Sequence, residues 1–433
     1  MSTIQKLTET LETDMFTDRL IELYGTHTDI QSTKDRYRKV LQAHGAHPLA
    51  AKYRESALFS TSGRTELGGN HTDHNRGKVI AASIQLDTIA SASTIEIPSV
   101  TIVSPGFPDV SIDIADLSVR EEEEGTTDAL VRGIAHAFSN RNLRTGGLVI
   151  HTHTNVLKGS GLSSSAAIEV LIATVFNSLY NNDALSPVEL AIIGQYAENE
   201  FFGKPSGLMD QIACAVGNVV KIDFRDPIDP EVQTIDVDFH AAGYQLMVID
   251  TKGDHSDLTG DYAAIPSEMK SVAAYFNRDV LREVSLEEFT SSLRDLRSAV
   301  GNDRAVLRAF HFLKENERVD EMQRALQAGD IGTYLEVVRE SGQSSYQYLQ
   351  NVYSSSHPSE QAISLALAMC SHLLGDRGAY RVHGGGFAGT VQVYVPLSLA
   401  DTFTQNIEDI FGKGSVTPLT VRSLPTTRVD REI

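Results

Sequence analysis

Four separated stretches of this chain hold the side chains and turns that handling of phosphate and of hydroxyl-rich ligands requires. Residues 157–168, Leu157-Lys158-Gly159-Ser160-Gly161-Leu162-Ser163-Ser164-Ser165-Ala166-Ala167-Ile168, alternate small with polar residues and then enter a helix-like pattern. Glycines let a backbone turn tightly and approach an anion. A following helix aims unpaired N–H groups and its positive end at that point. Standing alone, the stretch reads more readily as a Gly/Ser loop capping an ordinary helix, and it lacks the Gly-Lys-Ser/Thr ending of a Walker-type loop.

The second stretch, residues 63–75, packs Arg64, Asn70, His71, Asp73 and His74 into a glycine-broken run almost without apolar side chains. Charged and neutral hydrogen-bonding groups at fixed positions suit a polyhydroxylated ligand. A plain surface turn competes with that reading, as does a metal site using His71, Asp73 and His74, which would need further ligands. In the third, residues 196–211, Glu198 lies late in a helix and Asp210 follows a Pro/Gly turn. Each is a helix cap or a reactive carboxylate. The fourth, residues 382–390, sets Gly384, Gly385 and Gly386 just before a strand, removing bulk where a ligand or another backbone comes close.

The elements around these stretches alternate throughout. Leu7, Leu11, Phe16, Leu20, Ile21 and Tyr24 recur at roughly helical spacing and predict a helical preface over residues 1–33. A short strand begins near Leu58 and ends at Gly63; strands are predicted over residues 77–84, 94–97, 100–103 and 147–152. Helices are predicted over 128–138 and from about Ser165 to Tyr180. Ser186-Pro187-Val188-Glu189 forms a capping box that opens another, running towards Phe202. Strands over 219–223 and 244–250, helices between about 261 and 350, a helix over 358–374 and strands near 379–382 and 390–395 complete the pattern. The fold class is α/β or α+β.

At 433 residues the chain exceeds one ordinary core, and two domains follow as the expectation. A net charge of −20 argues against nonspecific binding to nucleic acid or anionic membranes, which reward a basic face. The two cysteines, Cys214 and Cys370, give no disulfide framework and no multi-cysteine zinc site. The polar start lacks the apolar core of a signal peptide, and no apolar run reaches the length of a membrane span. The expectation is a cytoplasmic protein without membrane or nucleic-acid partners.

In their order and spacing the four stretches resemble the GHMP kinases and, within them, the galactokinase family, from about residue 34 to the end. Residues 63–75 are similar to the sugar signature, 161–166 to the Gly-Leu-Ser-Ser-Ser-Ala phosphate loop, 207–211 to the segment holding the family's reactive Asp, and 384–389 to its C-terminal glycine motif. The resemblance implies a ribosomal-protein-S5-like N-terminal domain and a ferredoxin-like C-terminal domain. It divides the chain into an extension over 1–33, an ATP- and sugar-binding domain over 34–215 and a second domain over 216–433. It implies ATP and Mg²⁺, a small-molecule sugar as substrate, and either a monomer or a homodimer.

Roles carry over by position. Asp210 would orient or deprotonate the sugar C1 hydroxyl, and Arg64 would neutralise the transferring phosphoryl group and keep Asp210 ionised. Gly159, Ser160, Gly161, Leu162, Ser163, Ser164 and Ser165 would cradle ATP. Ser165 and Glu198 would hold Mg²⁺. Asn70, His71, Asp73, Gly207 and Tyr262 would contact the sugar, with Gly384, Gly385 and Gly386 close to phosphate. The family signature carries Glu where this chain has Asn70, Asn where it has Glu66, and Pro where it has Ser62. The implied reaction forms α-galactose 1-phosphate. Asn70, expected to face the sugar's exocyclic group, keeps galacturonate, N-acetylgalactosamine and arabinose open as acceptors. Non-catalytic sugar and ATP sensors also occur among the relatives.

Overall fold

The computed structural model describes residues 3–26, 28–156, 161–253 and 258–431. Three helices come first: α1 (Thr3–Thr10), α2 (Asp14–Tyr24) and α3 (Ile30–Gly45). Then follow β1 (Ser56–Gly68), β2 (Lys78–Ile95), β3 (Ser99–Val103), β4 (Val110–Asp113), α4 (Thr127–Asn140), β5 (Gly147–Thr154), α5 (Ser164–Asn181), α6 (Pro187–Glu200), α7 (Met209–Val216), β6 (Val219–Asp223) and β7 (Glu231–Ile235). With the final strand β12 (Thr427–Arg428) these strands form an eight-stranded sheet, ordered β12-β1-β2-β5-β3-β4, with β6 paired to the start of β2 and β7 to β6.

The second unit begins with β8 (Tyr244–Asp250) and continues through α8 (Thr259–Tyr275), α9 (Leu286–Ser291), α10 (Leu293–Val300), α11 (Asp303–Gln327), α12 (Ile331–Ser344) and α13 (Ala362–Leu374). It closes with β9 (Ala379–His383), β10 (Thr390–Pro396), α14 (Ala400–Phe411) and β11 (Val416–Leu419). The sheet order is β11-β8-β10-β9, antiparallel throughout. Setting aside the helices α8–α12 inserted after β8, the chain path is β-α-β-β-α-β, a ferredoxin-like split. β6 and β7 pair in the first sheet, and the tail returns to it as β12.

One face of the first sheet packs on α4, α5 and α6 through Phe59, Ile150, Ile134, Phe176 and Ile193. The N-terminal helices cover another part through Leu11, Phe16, Tyr37, Leu58 and Ile89. A further core joins the two sheets: Leu67, Ile80 and Ile84 meet Val248, Tyr334 and Tyr394. The predicted helix near 358–374 begins only at Ala362.

Gly63 does not end its strand. β1 runs through it with a register shift between Ser62 and Arg64. A Cβ on Gly63 would lie 2.8 Å from the carbonyl oxygen of Leu162, so the bare residue admits the Gly/Ser-loop backbone against the sheet. Such an irregularity re-aims the next side chain, and the next side chain is Arg64.

Candidate active site

Arg64 leaves β1 almost completely buried, while the Asp210 side chain on the first turn of α7 is 33% exposed. Arg64 Nε donates to Asp210 Oδ1 and Nη2 to Oδ2, both at 2.7 Å. Such a two-pronged pair fixes the carboxylate plane as well as its position. Arg64 Nη1 also donates to the Gly161 carbonyl, and its backbone N–H donates to Leu162 O at 3.1 Å. Ser163, held at a φ of +59°, donates its hydroxyl to Asp210 Oδ2 at 2.5 Å. A non-glycine residue in that region is uncommon and marks a constrained loop end. Burial works against ionisation of Asp210, but the charge and hydrogen bonds of Arg64 and the Ser163 hydroxyl overcome it and hold the carboxyl below its usual range.

Ser164 and Ser165 form the first turn of α5, where backbone N–H groups lack helical partners. Gly159 and Ser160, expected in the same cradle, lie outside the described residues, as do Leu157 and Lys158.

Glu198 sits near the end of α6, 4% exposed. Its Oε1 accepts from Lys204 Nζ at 2.7 Å; its Oε2 accepts from Ser206 Oγ at 2.5 Å and Gln211 Nε2 at 2.9 Å. Gln211, next to Asp210, also donates to Glu169 Oε2 at 3.0 Å. Burial and the charge of Glu198 push Glu169 up to about 8, so it keeps its proton at neutral pH. Among the described residues, no group of three or more His, Cys, Asp and Glu side chains is arranged to hold a metal. The Ser165 hydroxyl and the Glu198 carboxylate are nonetheless hard oxygen donors of the type Mg²⁺ takes alongside phosphate oxygens and water. Lys204, 58% exposed, would have to swing off Glu198 for an ion to bind there.

The sugar-signature residues gather around the glycine turn. Asn70 Nδ2 donates to Gly384 O at 2.7 Å, His71 Nε2 to Gly385 O at 2.8 Å, and the Tyr262 hydroxyl to Gly386 O at 2.8 Å. Tyr262, expected just ahead of a helix, lies in the first turn of α8. Asp73 Oδ2 faces Gly207 so closely that a Cβ there would come within 2.2 Å of it. His71 turns its ring to Gly385, and the His74 ring comes no nearer to Asp73 than 3.8 Å. Burial drives the His71 ring down to about 4, leaving it neutral.

Asn70 is fully buried, and its amide oxygen accepts from Asn351 Nδ2 at 2.8 Å.

Several residues that place this site carried no motif. From α11, Glu315 accepts from Gly69 N at 3.0 Å and His311 Nε2 donates to Asn70 O at 3.0 Å. They sit on one helix face at i and i+4. His383, neutral through burial and the nearby Arg64 and Arg381, bonds Thr390 Oγ1 at 2.9 Å within the second sheet and Thr65 Oγ1 of β1 at 3.0 Å, and so joins the second sheet to the strand that carries Arg64.

Residues 129–218 match the GHMP kinases N terminal domain, and residues 50–94 match the galactokinase galactose-binding signature. Among solved structures, the Lactococcus lactis galactokinase complexed with galactose superposes with a TM-score of 0.75 at 22% identity, covering 93% of this chain and 100% of that one. The Methanococcus jannaschii mevalonate kinase gives 0.60 at 12% identity, covering 84% and 98%. The Streptococcus pneumoniae phosphomevalonate kinase in complex with phosphomevalonate and AMPPNP gives 0.56 at 13%, covering 86% and 99%. The fold is the one these kinases share, and the two matched segments support a kinase phosphotransferase of the GHMP class. Within that class it is galactokinase-like, a kinase acting on a sugar hydroxyl. No helix among the described residues is long and apolar enough to cross a membrane.

Proposed function

We propose that this chain transfers the γ-phosphoryl group of ATP to the C1 hydroxyl of a sugar, with galactose as the leading acceptor, giving ADP and α-galactose 1-phosphate. The observation that carries the reading is the Arg64–Asp210 pair, joined by Ser163 from the phosphate loop. It puts an ionised carboxylate, a guanidinium and a helix N-terminus at one point.

Asp210 accepts the hydrogen bond of the C1 hydroxyl and takes its proton as the oxygen attacks the γ-phosphorus. The bond to the β-phosphate oxygen breaks, and ADP leaves. A loose phosphoryl transition state makes positioning and charge compensation the main task, and Arg64 supplies positive charge there. The amides of residues 161–165 hold phosphate oxygens at the start of α5. Ser165 and Glu198 would hold Mg²⁺, which supplies charge neutralisation across the phosphates. Asp73 and Gly207 form the floor of the sugar site, with His71 and Tyr262 framing it through the glycine turn.

Position 70 offers no carboxylate to the sugar, which favours as a second reading a modified acceptor such as galacturonate, N-acetylgalactosamine or arabinose. A sugar panel in a coupled ADP-release assay decides between them. Turnover highest with galactose supports the first reading; negligible galactose turnover beside strong turnover of another sugar replaces it. Sugar-dependent binding of a protein partner without any kinase activity would point instead to a sensor.

A further inference from the structure

An asparagine side chain offers two N–H donors and two acceptor lone pairs. In Asn70 all are used within the chain. Nδ2 donates to Gly384 O and, at 3.1 Å, to Glu66 Oε1; Oδ1 accepts from Asn351 Nδ2 and, at 3.3 Å, from Ser345 Oγ. The same Glu66 Oε1 accepts from Arg381 Nη2 at 2.6 Å. Glu66 is 3% exposed and Arg381 0%. One carboxylate oxygen therefore lies between a guanidinium from β9 and the amide of Asn70.

This geometry links two positions that look independent in the sequence. A carboxylate at position 70 would face the anionic Glu66 oxygen and the Gly384 carbonyl, two acceptors with no proton to offer. An amide at position 66 would take from buried Arg381 the carboxylate it hydrogen-bonds, leaving only the charge of Glu315 to act on it, and weakly compensated buried charge is strongly destabilising. Only one of the two positions can be acidic.

We propose that Glu66, Asn70 and Arg381 form a single unit that fixes the Gly384–Gly386 turn, and that Asn70 is a positioning residue rather than a sugar contact. The departures from the family signature at 66 and 70 are then one exchange of a carboxylate and an amide. Acceptor preference is set by Asp73 and Gly207, not by the Asn70 side chain or the turn it holds. The kinetic part rests on the sugar-kinase reading; the coupling does not.

The test compares Glu66→Asn, Asn70→Glu and the double variant by thermal melting. Each single change is expected to lower Tm by at least about 4 °C, or to yield insoluble protein. The double variant is expected to regain more than half of the summed loss, or to be soluble where the singles are not. Additive losses, or a double variant no better than its parents, overturn the unit. In a second arm, Asn70→Ala should keep the ratio of kcat/KM for galactose over N-acetylgalactosamine within about threefold of wild type. A ratio moved further makes Asn70 a sugar contact and overturns the positioning role. A wild-type chain that turns over no sugar ends the proposed function while the melting comparison still decides the coupling.

Discussion

Asp210 is held by Arg64 from 146 residues away, its two carboxylate oxygens each taking one N–H bond of 2.7 Å. That grip aims the carboxylate and keeps it charged. Replacing Asp210 with Asn removes the proton acceptor and should lower kcat by about 10²–10⁴-fold. Arg64→Ala removes both the aim and the positive charge, with an expected loss of about 10²–10³-fold. ATP affinity, read by fluorescence titration, should change little in either variant. Near-normal turnover in either would dismiss the assigned roles.

The same pair sets the acid side of the pH profile. Although burial opposes it, Arg64 holds Asp210 below the ordinary carboxylate range. Asp210 therefore remains ionised as pH falls, and kcat should stay level down to about pH 4, the usual Asp value. An acid limb centred between about pH 6 and 7 would mean that the reacting carboxylate is not in this environment.

Gly207 is a spatial requirement rather than a loop ornament. A methyl group there would come within 2.2 Å of Asp73 Oδ2, pushing that carboxylate out of place. Displacements near 1 Å cost about 10²-fold where geometry governs rate. Gly207→Ala should raise the sugar KM by roughly 10- to 100-fold and leave the ATP KM within error. Equal changes in both constants would place Gly207 outside the sugar site.

The Arg64 and Asp210 segments were legible because Arg, Asp and a Gly/Ser loop keep recognisable neighbours along the chain. What surrounds them was not. Gly63 reads as a strand stop, yet it is where β1 shifts register to admit Leu162 O. The direction of the Asn70 amide depends on Asn351 and Gly384, 281 and 314 residues further on, and no local pattern encodes it. Glu315 and His311 look like ordinary positions of a long amphipathic helix. Their hold on Gly69 and Asn70 exists only once α11 has packed on the first sheet. The preface was expected to be helical. Its Tyr24 bonds the buried Asp87 of β2 at 2.6 Å, alongside Arg36, just beyond the preface, at 2.9 Å.

If Ser165 and Glu198 hold the divalent ion, Glu198→Gln should raise the Mg²⁺ concentration for half-maximal activity by about 10-fold or more, the scale on which altered metal surroundings reduce affinity. Lys204→Ala should act in the opposite direction, because it frees Glu198 Oε1 from an ammonium at 2.7 Å. A Mg²⁺ titration of both variants checks the assignment, and an unchanged requirement in Glu198→Gln rejects it.

Acid sensitivity of the fold should come from buried histidines. His44 and His311 are fully buried and His151 nearly so; His44 and His151 share an Nδ1 to Nδ1 contact of 2.9 Å, which only one proton can occupy. Burial drives His151 and His311 down to about 4, and His44 lower still with the added repulsion of His151 and His47. In the unfolded chain each takes up a proton near pH 6.5. Between pH 6.5 and about 4 the unfolded state therefore binds more protons, so stability rises with pH and falls on acidification. Each histidine contributes about 1.4 kcal/mol per pH unit inside that window. Glu169, pushed up to about 8, acts in the opposite direction, but three histidines outweigh one carboxyl, so melting temperature should decline progressively below about 6.5. In His44→Gln, whose amide cannot titrate, the decline should be shallower even if the starting Tm is lower. An equal slope in that variant would show that His44 is not part of the acid response.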